Sequence, residues 1–159
     1  MAEALRLAAQ ARDRGDVPVG ALVVLGDSVI GTGFNTREAD DDPSGHAEIN
    51  ALREACRRMG AWRVDGATLY VTLEPCPMCA GALVNARVAR LVYGAADPKA
   101  GAARTLYSLC DDPRLNHRML VQPGVLADDC GQILSEFFRE ARARHREARA
   151  RARAQEASA

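Results

Sequence analysis

ATLYVTLEPCPMCAGALVNARVARLVYG, residues 67–94, decides the architecture. ATLYVTL (67–73) is a continuous apolar run and reads as a strand. Cys76 to Ala86 is rich in small residues and reads as a helix, with Pro75 suited to its first turn. VARLVYG (88–94) is the next strand. A strand, a helix and a strand in succession imply a parallel pair joined by a right-handed crossover.

The flanks follow from this unit. Ala4, Leu5, Ala8 and Ala11 give helical spacing up to about Arg14, and Gly15-Asp16 ends it. VPVGALVVL (17–25) is a buried strand with Pro18 near its start. Gly26-Asp27 is a turn, and VIGTGFN (29–35) a strand antiparallel to the first. TREADDDPSG (36–45) is a polar loop. His46 to Met59 is a helix with Ile49, Leu52, Ala55 and Cys56 on one face. Ala102 to Cys110 is expected to be helical, MLVQPGV (119–125) a fifth strand, and 127 to about 145 a long helix striped by Ile133, Leu134, Phe137, Phe138 and Ala141. The expected fold is α/β: a three-layer α/β/α sandwich on a five-stranded mixed sheet. Residues 1–141 form the domain. Residues 142–159 form an Arg/Ala-rich tail that favours helix but has no apolar face to dock, so it is expected to fray.

Hydrophobic residues make up 48% of the 159 residues, enough for one core. No apolar run approaches the ~20 residues of a membrane span, and the N-terminus lacks the apolar block of a signal peptide. The expected location is therefore cytoplasmic. Five cysteines, an odd number with one close pair, argue against a disulfide framework. Cys56, Cys110 and Cys130 sit among apolar neighbours and read as small buried hydrophobes. Formal net charge is zero, but seven Arg against three Glu from Arg139 onward give +4 and leave −4 on the rest. Contact with a polyanion must then be local. Aromatic residues are 4%, too few for a long base-stacking platform.

Cys76 and Cys79 lie one turn apart at a helix start, where free amides and the dipole favour thiolates. Alone, they are equally a pair of core cysteines. GHAEINAL (45–52) supplies His46 at another helix start, with Glu48 two positions on. One nitrogen and two sulfurs are a donor set zinc accepts. Three protein ligands point to a catalytic site with an open position, whereas a structural site has four. Glu48 is then placed as the general acid/base of a hydrolytic reaction, although a glutamate in a first helical turn is also favoured by the dipole alone.

HAE (46–48) followed by PCPMC (75–79) resembles the signature of the zinc-dependent, cytidine deaminase-like superfamily. DVPVGALVV (16–24), GFN (33–35), TLYVTLEPCPMCAGALVNARVARLVYGAADPKAGA (68–102), LNHR (115–118) and GVLADDCGQILSEFFR (124–139) are similar to the bacterial tRNA-specific adenosine deaminases. The resemblance implies deamination of adenosine to inosine at the first anticodon position of tRNA. It implies one Zn2+ per chain on His46, Cys76 and Cys79, with Glu48 as proton shuttle. Asn35 matches the asparagine that binds the target nucleoside, the backbone at Ala47 lines the base pocket, and Asp97 and Lys99 belong to a loop that touches the anticodon stem-loop. A homodimer is implied as well. Phe34 stands where that family often has Trp, and Arg104 where it more often has a small residue. The alternatives are a deaminase of free bases or nucleosides (guanine or cytidine), a non-catalytic RNA-binding relative, and a structural zinc module.

Overall fold

The computed structural model describes residues 1–156. Its elements in chain order are α1 (Ala2–Asp13), β1 (Gly20–Leu25), β2 (Ser28–Phe34), α2 (Ala47–Met59), β3 (Thr68–Leu73), α3 (Pro77–Asn85), β4 (Arg90–Ala95), a 3-10 turn (Leu109–Asp111), β5 (Leu120–Gln122) and α4 (Ala127–Glu156). The sheet has five strands in the order β2-β1-β3-β4-β5. β1 pairs antiparallel with β2 and with β3, whereas β3-β4 and β4-β5 are parallel, so the mixed sheet and the crossover expected over 67–94 are both present.

Alternation along the strands sorts the layers. Ala21, Val23, Leu69 and Val71 pack with Ala47, Ala51 and Ala55 of α2 and Leu83 of α3. Leu22 turns the other way and packs with Ala4 and Leu7 of α1. α4 lies beside α1, to which Arg12 ties it through Glu140 at 2.6 Å.

The helices seat on glycines. A Cβ on Gly33 would stand 2.4 Å from the Ala47 carbonyl oxygen and 2.5 Å from the Ala51 nitrogen, and one on Gly31 would stand 2.3 Å from the Ala51 carbonyl oxygen. α2 therefore presents alanines, and its buried face is Ala47, Glu48, Ala51, Leu52 and Ala55. The face expected from the sequence is rotated: Ile49 and Cys56 are only half-buried, while Cys110 and Cys130 are fully buried as expected.

Four local expectations are corrected. Pro77, not Pro75, occupies the first turn of α3, with Cys76 as its cap. Ala102 to Cys110 is not a helix. The amides of Ala103, Arg104 and Thr105 donate to the Glu74 carboxylate and so are lost to a helical ladder. β5 is shorter than expected because Pro123 has no N–H and Gly124 turns with φ +83°. α4 continues as helix to Glu156, because Ala and Arg have high helix propensity and extending a docked helix needs no new nucleus. Residues 157–159, the end of the expected tail, lie outside the described residues. No helix among the described residues is long and apolar enough to cross a membrane.

Gly33→Ala should destabilise the protein by about 1–3 kcal/mol in urea unfolding, since backbone cannot move aside as a side chain can. Gly81→Ala in α3, with nothing within 4 Å of the added Cβ, should be neutral or stabilise by about 0.5–1 kcal/mol. The opposite ranking would dismiss close backbone packing as the reason for Gly33.

Candidate active site

Two helix N-termini converge at the end of β3. His46 is the N-cap of α2 and Cys76 the N-cap of α3, each with extended backbone and neither capping its own helix with its side chain. Cys79 lies one turn further and is fully buried. His46 Nδ1 is 3.6 Å from Cys76 Sγ and 3.5 Å from Cys79 Sγ. All ligand atoms of the three lie within 4.8 Å of one another, so the group could hold a metal ion. The hydrogen bond from the Cys79 thiol is the main cause that brings Cys76 down to about 4. The same bond, with burial, pushes Cys79 upward. His46 is raised chiefly by its hydrogen bond to Cys76.

Glu48, in the first turn of α2, is only 4% exposed. Burial is the main cause that lifts its carboxyl from 4.5 to about 7. It shares a cleft of about 270 Å³ with Asn35, Arg37, His46, Cys76 and Asp97. Asn35 directly follows β2, and its Oδ1 accepts the Ala47 N–H at 3.0 Å, which fixes the start of α2 to the sheet. Ala47 itself is fully buried. Lys99 lies outside this cleft and lines an adjoining groove that Asp97 also borders. Asp97 shapes its own loop, since its Oδ1 accepts the Lys99 N–H at 2.9 Å and its carbonyl accepts the Gly101 N–H at 2.9 Å.

Two buried carboxylates that sequence reasoning misses hold the loops around the cleft. Asp16 accepts the N–H groups of Val17 and Glu38 at 2.8 and 2.7 Å and so pins the segment leading to His46. Glu74, at the end of β3 and 2% exposed, accepts the N–H groups of Asp97, Ala103, Arg104 and Thr105 at 3.0, 3.1, 2.7 and 2.9 Å, and the Thr105 hydroxyl. Successive amides of this kind form a concave nest for an anion, here an internal one. Gly101 is required beside it, because a Cβ there would lie 2.4 Å from Glu74 Oε2. One signal is present in the sequence: a carboxylate between an apolar strand and PCPMC has few ways to reach water.

Burial raises the Glu74 carboxyl, but the Thr105 hydroxyl and the amides of Asp97, Thr105 and Arg104 outweigh it and leave it below its ordinary 4.5. The stabilisation from this depressed group is therefore complete above 4.5 and is lost as pH falls through the folded value. Glu74→Gln should cost on the order of 2–3 kcal/mol at neutral pH, the scale of hydrogen bonds to a buried charge. Urea midpoints measured down the acid range should fall more steeply for the unsubstituted protein than for Glu74→Gln. Parallel curves would mean that Glu74 does not hold the loop as a carboxylate.

Comparison with known proteins agrees with this geometry. The MafB19-like deaminase family profile matches residues 1–142. A tRNA-specific adenosine deaminase of Bacillus subtilis (strain 168) is 48% identical over 146 residues, covering 92% of this chain and 91% of that protein. A solved structure from work on A-to-I editing by tRNA:A34 deaminases at the wobble position of transfer RNA is 43% identical with a TM-score of 0.79, covering 82% of this chain and 95% of that one. A guanine deaminase structure from Bacillus subtilis is 38% identical with a TM-score of 0.57, over 60% of this chain and 61% of that one. With this identity maintained over nearly its whole length, the chain belongs to the family of tRNA-specific adenosine deaminases.

Proposed function

We propose that the chain is a hydrolase that converts adenosine to inosine at the first, wobble position of a tRNA anticodon. The observation that carries this reading is the cluster of His46, Cys76 and Cys79 at a cleft that the buried Glu48 lines beside His46 and Cys76. The relatives named as tRNA-specific adenosine deaminases support it over a free-base enzyme.

The donor set fits zinc. Tetrahedral zinc, with bonds of about 2.05 Å to nitrogen and 2.3 Å to sulfur, sets those ligands about 3.6 Å apart. The separations from His46 Nδ1 are 3.6 and 3.5 Å. His46, Cys76 and Cys79 would hold one Zn2+ per chain and leave the fourth position open. When bound, zinc supplies the Lewis acidity that brings the ionisation of water near neutral pH.

Glu48 moves the protons. As a carboxylate it takes one from the attacking water, whose oxygen bonds to C6 of adenine. Protonated, Glu48 returns that proton to the amino group, the C–N bond breaks and ammonia leaves. The ring keeps the oxygen as the keto group of inosine and carries the second proton of the water. A carboxyl held near 7 by burial suits a group that both accepts and releases a proton at neutral pH. Asn35 orients the nucleoside with its side-chain amide, and the Ala47 backbone holds Asn35 in place. Asp97 and Lys99 present the loop after β4 to the anticodon RNA. Anticodon loops already splay their bases, so one base enters the cleft without a long stacking platform.

The proposed unit is a cytoplasmic homodimer. Exposed Leu106, Tyr107, Leu115 and Leu120 offer apolar surface for a partner, and five free cysteines suit a reducing compartment. Residues 1–141 are proposed as the catalytic domain and 142–159 as an appendage, a division supported by the end of the family match at residue 142.

Protein purified without chelator should contain about one zinc per chain. Cys76→Ala and Cys79→Ala should lose most of it, and Cys110→Ser and Cys130→Ser should keep it. Equal loss in all four, by elemental analysis, would dismiss the ligand set.

An anticodon stem-loop carrying adenosine at its first anticodon position should yield inosine and ammonia, with negligible conversion of free adenosine, cytidine or guanine. Glu48→Ala should keep the metal and lose ~10²–10⁴-fold or more in rate. Turnover of guanine or cytidine with an inert hairpin would transfer the assignment to a small-molecule deaminase.

A further inference from the structure

The cleft continues into a groove of about 460 Å³, with which it shares Val17, Leu73, Asp97 and Phe138. One wall of the groove is α4, through Gly131, Leu134, Ser135, Phe138 and Arg142. At ~100° per residue these five share one face of the helix, within an arc of about 100°, and Arg146, Arg149 and Arg153 continue outward along it. From Phe138 to Arg153 the stripe keeps within an arc of about 80°.

The rest of the helix is different. Arg144 and Arg151 lie on the opposite face, together with Glu147. Glu136 and Glu140 also point back, where Arg12 of α1 pairs with them. Between Arg142 and Gln155 the sole acidic residue is Glu147, so the groove-side face there is purely basic. Among the described residues no ion pair neutralises Arg142, Arg146 or Arg149. From Arg142 to Arg153 the stripe runs about 16 Å beyond the domain. It carries no large apolar side chain, which sets it apart from helices that lie on membranes.

We propose that Arg142, Arg146, Arg149 and Arg153 form a rail for RNA phosphates, which takes the strand leaving the cleft and holds the stem of the substrate. The proposal rests on the reading of the cleft as a site for an anticodon stem-loop. A rail of arginines at helical spacing neutralises phosphates without reading sequence, so it adds affinity and salt dependence rather than base choice. It places the chain's local concentration of positive charge on the path from the site.

The test uses the full-length zinc-loaded protein and compares two sets of substitutions. In the front set Arg142, Arg146, Arg149 and Arg153 become Gln. In the back set Arg144 and Arg151 become Gln. All these side chains are exposed, and circular dichroism checks that the helix persists. Binding of an anticodon stem-loop is titrated over salt, beside a loop with the stem trimmed away. The front set should weaken stem-loop binding more than about ten-fold near 0.1 M salt, and flatten the slope of log K against log salt by roughly 0.7–0.9 for each phosphate no longer neutralised. Trimming the stem should cost the unsubstituted protein affinity and cost the front set little more. The back set should change neither slope nor affinity beyond a small general charge effect. Unchanged slope in the front set, or an equal loss per arginine in the back set, overturns the rail. Should the unsubstituted protein form no inosine from the hairpin, the cleft reading fails and the rail falls with it. Inosine formation together with an unaltered front set refutes the rail alone.

Discussion

The backbone of α2 rests directly on the backbone of β2, and the site depends on that contact. With glycine at 31 and 33 facing Ala47, Ala51 and Ala55, no side chain keeps the helix off the sheet. The Asn35 side chain then bonds the first amide of α2, so the helix is fixed along its axis as well as across it. His46 and Glu48 occupy the end of this element, so their backbone positions are set by these main-chain contacts. α3 follows β3 after three residues, Glu74, Pro75 and Cys76. Two rigid helix ends therefore meet, and the nitrogen and sulfurs stand at ligand separation without a loop to order.

Electrostatics gives the neighbouring groups different tasks. Cys76 caps a helix start and is brought down chiefly by the Cys79 thiol, whereas Cys79 is pushed up by the same bond and by burial. Glu48 sits on the first turn of α2 yet is so deeply buried that desolvation dominates, and its carboxyl rises. Glu74 is buried to a similar degree and moves in the other direction, because four amides and a hydroxyl surround it. Two glutamates of one chemistry thus differ by what is provided to receive their charge. Glu48 is left able to exchange a proton, and Glu74 is committed to holding the loop at 96–105.

That His46, Cys76 and Cys79 come together, with Glu48 beside them, is legible in the sequence because helical spacing fixes where side chains at two helix starts project. The parallel crossover is legible for a similar reason, since period and length identify its three parts. The segment 102–110 is not. Its composition favours helix, but its amides are claimed by a carboxylate from β3, and no local pattern announces a partner about thirty residues back. Asp16 escapes notice in the same way. The rotation of α2 is hidden because large apolar residues usually mark a buried face. Against a glycine strand the buried face is the one with the smallest side chains. The tail lacks an apolar face and so reads as frayed, yet it extends a helix that is already nucleated, where propensity alone suffices.

Chain order adds a consequence for synthesis. The ligand cluster and Glu48 are complete by Cys79, whereas Phe138 and the groove wall come from α4, which follows every other element of the domain. The cleft therefore lacks a side until α4 is made. Until Arg90 to Ala95 emerges, β3 is also an unpaired apolar edge, since its second neighbour is β4. At ~5–20 residues per second that edge stays open for roughly one to four seconds after Leu73 is added. The assembled cleft is thereby confined to chains in which α4 has already been made.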